Sequence, residues 1–201
     1  MQTVLDLSRA PEPSFANFVE GRGNRAALRY LLGVGDWPSP VALLVGPEGS
    51  GKSHLGRAFA GDEHVFVDEA DTADEGELFA LINRALAGEV RAVLLASRLP
   101  VAEWGTEMPD LRSRLRNVPV FTLEEPGDDV LGPILRDMFA AHGREVGEGV
   151  VSYMLSRFPR GVPELRRIVG DIEREAQSAR ADVTKAYVAR WLSGREQREL
   201  F

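Results

Sequence analysis

The run Gly46-Pro47-Glu48-Gly49-Ser50-Gly51-Lys52-Ser53 fits the phosphate-loop pattern G-x-x-x-x-G-K-[ST] at every fixed position. Glycines let the backbone curl so that successive N–H groups face one ligand, and a helix opening at the end of the loop adds partial positive charge. This suits a nucleoside triphosphate: Lys52 would reach the β- and γ-phosphates and Ser53 would ligate Mg2+. Gly46, Pro47, Gly49, Ser50 and Gly51 would form the cradle, with His54 beside it.

What a phosphate loop still lacks is supplied where Val65-Phe66-Val67 ends in Asp68-Glu69. Asp68 is a candidate Mg2+ ligand, directly or through water, and Glu69 a candidate to orient or polarise the attacking water. An acidic pair often marks a solvated strand end; the carboxyl edge of a parallel sheet favours the functional reading. Asp71 and Asp74 read as solvated loop charges. Ser97 is a candidate sensor of γ-phosphate or water, with a plain turn serine as the equal alternative. Arg112 and Arg114 place two guanidinium groups near the start of a short helix. An arginine offered across a subunit boundary stabilises phosphoryl-transfer charge, whereas a solvated or salt-bridged face is the bland reading.

Positioning these residues requires alternating strands and helices. Val41–Val45, Val65–Val67, Ala92–Ala96 and Val118–Leu123 are short apolar runs of buried-strand type. Between them lie helical stretches from His54 to Ala60, Glu75 to Ala87 and Leu111 to Arg116, and Asn24 is placed to cap a helix through Leu32. The alternation predicts an α/β fold, a parallel sheet with covering helices, followed by the helix Val130–Ala141. From Gly147 the strand signal stops, and 150–158, 162–180 and 184–192 read as a small helical lid. The expected organisation is an N-terminal tail over 1–14, a nucleotide-binding core over 15–143, the lid over 144–194 and a tail over 195–201. About a dozen residues separate Lys52 from the Asp68 strand, so the sheet is expected to be one strand short.

Composition narrows the function classes. A chain of 201 residues with 44% hydrophobic content buries a substantial core. Without cysteine there is no disulfide, thiolate metal site or thiol nucleophile, which fits a reducing compartment. No secretory leader pattern and no run of eighteen apolar residues is present, so a cytoplasmic protein with no membrane partner is expected. With 24 basic and 31 acidic residues the formal charge is −7, which argues against a broad DNA-binding surface.

From Ser14 to Leu192 the chain resembles the AAA+ domain of the DnaA family, and more closely its Hda-like members, which lack the initiator's DNA-binding domain. The resemblance rests on Ser14-Phe15-Ala16-Asn17-Phe18-Val19 with Gly21 and Asn24, on Gly51-Lys52-Ser53-His54-Leu55, and on Leu111-Arg112-Ser113-Arg114-Leu115. It implies that Phe18, Val19 and Asn24 lie near an adenine, so that ADP or ATP is the ligand, and that Arg114 is the arginine finger. It further implies partnership with DnaA, regulation of replication initiation, association with the replisome, and a homodimer as a candidate assembly. Where relatives carry a second-sensor arginine this chain has Pro163, with Arg160 or Arg166 as substitutes. The chain ends soon after the lid, leaving no room for a helix-turn-helix domain and no expectation of sequence-specific DNA binding.

Both ends resemble sliding-clamp peptides. Gln2, Leu5 and Leu7 fit Q-x-x-L-x-[LF], and Gln197, Leu200 and Phe201 fit Q-x-x-L-F. A glutamine at a pocket rim with two apolar anchors suits a peptide on a flexible terminus. The resemblance favours the Gln2 copy for binding the clamp.

Overall fold

The central apolar runs pair into one parallel sheet. The computed structural model describes residues 11–199, with side chains through 195. The strands are β1 (Val41–Val45), β2 (His64–Val67), β3 (Ala92–Ser97) and β4 (Val120–Thr122), in the order β2-β3-β1-β4. All pairings are parallel, with Val45 opposite both Ser97 and Thr122, and Val67 opposite Leu95. β1 and β3 are buried throughout, which is why they read as unbroken apolar runs without alternation. Four strands among the described residues agree with the short link before Asp68.

Successive side chains of a strand point to opposite faces, so one sheet feeds two cores. On one face Leu43, Val93 and Leu95 pack with Leu78 and Ile82 of α3 (Glu75–Leu86) and Leu111 and Leu115 of α4 (Pro109–Leu115). On the other, Ala42, Leu44 and Leu94 pack with Leu28 and Leu31 of α1 (Arg25–Leu32) and Leu55 and Phe59 of α2 (Lys52–Phe59). Each fully buried leucine or phenylalanine contributes about 1.5–3 kcal/mol. Asp74 is no idle loop charge: its carboxylate caps α3 by accepting from the Glu77 N–H at 2.9 Å.

The chain divides by contacts into two compact units, with the boundary between Pro126 and Gly127. The second holds α5 (Asp128–Ala140), α6 (Glu148–Arg157), α7 (Val162–Ala179) and α8 (Lys185–Glu199). α5, grouped with the sheet when the sequence alone is read, shares its core with α6 and α7 through Leu131, Leu135, Phe139, Val151, Met154 and Leu165. Within that core Glu173, 2% exposed, pairs with Arg144 at 2.6 Å. α8 continues to Glu199, past the predicted end at Leu192.

Candidate nucleotide-binding site

The phosphate loop leaves β1 at the carboxyl edge of the sheet, where open α/β sheets bind ligands. Gly49 and Gly51 have φ of 77° and 98°, a left-handed backbone that favours glycine. Gly46 is required for space, because a Cβ there would stand 2.4 Å from the Leu123 carbonyl oxygen. Its N–H donates to Ser97 O at 3.2 Å, and the Leu123 N–H donates to Val45 O at 2.7 Å, so the ends of β1, β3 and β4 meet here. The Ala70 N–H donates to Ala96 O at 2.8 Å and draws the turn after β2 to the same edge.

Lys52 is buried, and its Nζ donates to Gly46 O at 2.6 Å and Pro47 O at 2.7 Å. Burial lowers its pKa from the ordinary lysine value, while the Asp68 charge pulls it back up. The loop therefore holds a desolvated cation on its own neutral carbonyls, and a phosphate oxygen is a stronger acceptor than either. These features fit a polyphosphate.

The segment before α1 forms a wall against the loop helix. Ser14 and Asn17 cap each other around the 3-10 turn Phe15–Asn17. The His54 Nε2 lies 3.1 Å from Ser14 O and 2.9 Å from Asn17 Oδ1. Both are acceptors, which assigns the proton to Nε2. Phe18 packs edge-on against the His54 ring with centroids 5.3 Å apart, and its Cε2 is 3.1 Å from where a Gly51 Cβ would stand. Asn24, buried at the start of α1, accepts from the Gly21 N–H at 2.8 Å and donates to Val19 O at 3.0 Å. It does not cap α1 with its side chain; it braces the 19–24 turn that carries Val19.

Asp68 and Glu69 close β2. Asp68 Oδ1 accepts from the Glu69 N–H at 3.2 Å. Glu69 has φ of 50°, an uncommon conformation for a residue other than glycine and one that concentrates at functional sites. The Thr72 N–H and Oγ1 both donate to Glu69 O, at 2.9 and 3.0 Å, and hold the turn. Ser97 is 1% exposed, and its hydroxyl donates to Leu99 O at 2.6 Å and accepts from the Leu99 N–H at 2.9 Å. It stands at the ligand edge with its hydroxyl proton already engaged, as a turn serine does. Sequence reasoning missed its neighbour Arg98, the first exposed charge after β3, which pairs with Glu48 at 3.5 Å and Glu69 at 3.4 Å.

No group of three or more His, Cys, Asp or Glu side chains forms a metal site among the described residues. A magnesium carried by a nucleotide needs fewer protein ligands, and Ser53 and Asp68 suit it by residue type.

Arg114 and Arg112 stand apart from this set. The Arg114 guanidinium lies over the Phe79 ring of α3, and Arg112 donates to Thr106 O. The Glu75 carboxylate accepts from the Glu107 and Met108 N–H groups, both at 2.8 Å, and fixes the entry to α4. In the helical unit Pro163 occupies the first turn of α7, where its missing N–H costs nothing, and Arg160 pairs with Asp128 at 2.5 Å. Gln2, Leu5, Leu7, Leu200 and Phe201 lie outside the described residues; Gln197 falls within α8, its side chain outside them. No described helix is long and apolar enough to cross a membrane.

No protein-family model matches the chain. A Haemophilus influenzae protein of uncharacterised function is 22% identical to it, over 96% of this chain and 98% of its own length. Among solved structures, domain III of the Thermotoga maritima replication initiation protein DnaA superposes with a TM-score of 0.73 at 18% identity, covering 89% of this chain and 94% of that one. AMPPCP-bound DnaA from Aquifex aeolicus gives 0.70 at 17% identity, over 94% and 71% of the two chains. The Thermotoga maritima Holliday-junction branch-migration motor RuvB gives 0.63 at 15%, over 92% and 72%. With its four-stranded parallel sheet, its phosphate loop after β1 and its helical second unit, the chain has the fold of DnaA domain III.

Proposed function

We propose that this chain is an Hda-like regulator that binds ADP or ATP with Mg2+ and presents Arg114 to ATP held by DnaA. The observation that carries the nucleotide reading is the joining of two motifs in one wall: Phe18 and Asn17 pack on His54 of α2, and Phe18 lies against Gly51 of the phosphate loop. Phe18 and Val19 then offer an apolar edge to a base while Lys52, Ser53 and the loop N–H groups hold phosphates. A bound Mg2+ would neutralise charge on the phosphate oxygens; Ser53 and Asp68 would hold it. The likeness to DnaA structures, two of them bound to AMPPCP, supports the adenine assignment.

The regulatory reading is supported by Arg114, whose guanidinium lies over the Phe79 ring of α3. A cation outside the site of its own chain suits delivery to a partner's, and an arginine supplied in this way accelerates phosphoryl transfer by about 10³ to 10⁵. The terminal motifs would hold the chain on the DNA-loaded sliding clamp. The experiment is turnover of DnaA-bound ATP with and without this protein, clamp and DNA; stimulation only when all are present supports the reading, and its absence removes it.

A second reading, an autonomous ATPase that remodels or loads another replication protein, is favoured by Asp68 and by the left-handed conformation of Glu69. A third, an adaptor that uses nucleotide without hydrolysis, is favoured by the engaged hydroxyl of Ser97. Single-turnover measurement with radiolabelled ATP separates them.

A further inference from the structure

The sheet ends at β4, and the hydrogen bonds that tie β4 to β1 fix which of its groups face outward. The Leu43 N–H donates to Pro119 O at 2.9 Å, and the Leu123 N–H donates to Val45 O at 2.7 Å. Along a strand the N–H and C=O of successive residues turn to alternate sides, so Pro119, Phe121 and Leu123 face β1. Val120 and Thr122 therefore turn their N–H and C=O groups away from the sheet, and no backbone bond of another described element takes them up. Edges of this kind are ordinarily blunted by charge, proline, a bulge or a covering segment. Here both outward residues are β-branched and exposed, Val120 by 50%. Pro119 does not close the edge, because the N–H it lacks belongs to the β1 side.

We infer that the outer edge of β4 is a self-association surface, on which a second copy of this chain pairs its own β4 antiparallel about a two-fold axis at Phe121. The register follows from the parity. Val120 of one copy exchanges both backbone bonds with Thr122 of the other, and the axis repeats the pair. Phe121 then faces its own copy as the closer, non-hydrogen-bonded pair, on the face where Tyr30 stacks on it with centroids 4.3 Å apart. Charge selects this occupant and this direction. Exposed Arg116 precedes β4 and exposed Glu124 and Glu125 follow it, so an antiparallel copy sets each basic entry beside the other's acidic exit. A parallel copy would set like beside like. The opposite edge of the sheet does not suit self-pairing, because β2 has Asp62 and Glu63 before it and Asp68 and Glu69 after it. The inference is independent of the nucleotide reading.

Sedimentation of the full chain at up to about 100 μM, with amide hydrogen exchange, tests it. Wild type is expected to dimerise with concentration, and the Val120 and Thr122 amides to be protected in the dimer and open on dilution. The Leu123 amide, bonded within one copy, should stay protected throughout. Val120→Lys and Thr122→Pro should be monomers with unchanged melting temperatures, since each alters only the outer edge. Arg116→Glu and Glu125→Arg should each weaken the dimer about tenfold, because the axis repeats each change, and the double variant should recover most of it. A wild type that stays monomeric overturns the inference. So does dimerisation of Val120→Lys and Thr122→Pro equal to wild type, or a double charge variant as weak as the singles. Protection of the Val120 and Thr122 amides in a monomer would assign the edge to another segment of the same chain and overturn self-pairing.

Discussion

The Arg114 guanidinium rests 4.9 Å from the centre of the Phe79 ring, a cation–π contact that ties the end of α4 to α3. Such a contact is worth about 0.5–1 kcal/mol at a partly exposed site, enough to orient a side chain without anchoring it. Arg114→Ala is therefore expected to lower stability by no more than about 1 kcal/mol and to leave nucleotide affinity unchanged. It should abolish stimulation of DnaA-bound ATP hydrolysis. Phe79→Leu should reduce stimulation only partly, since it frees the guanidinium without removing it. Stimulation by Arg114→Ala equal to wild type would make Arg114 structural and Arg112 the next residue to test.

Lys52 yields a pH prediction with a definite sign. Burial lowers its folded pKa, so between the folded and unfolded values the unfolded chain binds more protons and stability rises with pH. The desolvation cost is carried in full below the folded pKa, where Lys52 is charged, and is relieved as pH rises through it. Phosphate binding needs the charged form, so affinity for nucleotide should fall with rising pH, beginning below the ordinary lysine range of about 10.4. In Lys52→Arg the decline should vanish, because guanidinium keeps its proton. Lys52→Ala should lose tight binding at every pH. Calorimetry from pH 7 upward checks all three.

Gly56 of α2 lies against Phe66 of β2 so closely that a Cβ would come within 2.0 Å of the ring. Alanine in a helix interior ordinarily gains about 0.5–1 kcal/mol over glycine. Here overpacking of about 1–3 kcal/mol opposes it, so Gly56→Ala is expected to destabilise. Pairing it with Phe66→Leu should recover part of the loss, and the coupling in a double-mutant cycle of denaturant midpoints measures the contact.

How much of this was legible in the sequence depends on the range of the forces involved. β1 and β3 were read correctly because burial on both faces leaves unbroken apolar runs. The phosphate loop was read because its φ angles and close approaches admit only glycine at Gly46, Gly49 and Gly51. Asp74 was misread because an N-cap and a loop charge share one local pattern, and only the Glu77 hydrogen bond separates them. The bridge of Arg98 to Glu48 and Glu69 was invisible because its partners are 50 and 29 positions away and meet only through the crossovers of the sheet. α5 was assigned to the sheet because sequence order places it next to β4; its core partners Met154 and Leu165 come later in the chain.

In the helical unit the pair Arg144–Glu173 is a buried charge contact, and Arg144 also donates to Ala181 O at 3.1 Å. Arg144→Met leaves Glu173 uncompensated in the core and is expected to cost about 3–5 kcal/mol. Adding Glu173→Leu should restore most of that loss, since well-packed apolar replacements of buried pairs are often neutral. Thermal melts of the single and double variants check this; a double variant no better than the single would assign the loss to packing.

The terminal motifs separate by what their side chains are expected to touch. An extended clamp-binding peptide needs exposed anchors, whereas a segment that continues a helix commits its apolar side chains to helix faces. α8 runs through Gln197 to Glu199, and the sequence resemblance favours the N-terminal copy for the clamp. Replacing Gln2, Leu5 and Leu7 with alanine should therefore abolish clamp binding and leave the melting temperature unchanged, because terminal residues contribute little to a fold unless tied down. Replacing Leu200 and Phe201 should weaken clamp binding less, and would lower stability by about 2–5 kcal/mol per side chain if either is buried. Clamp pull-downs and thermal melts on both variants decide the matter. Full clamp binding by the N-terminal variant, with loss confined to the C-terminal one, would reverse the assignment of the two ends.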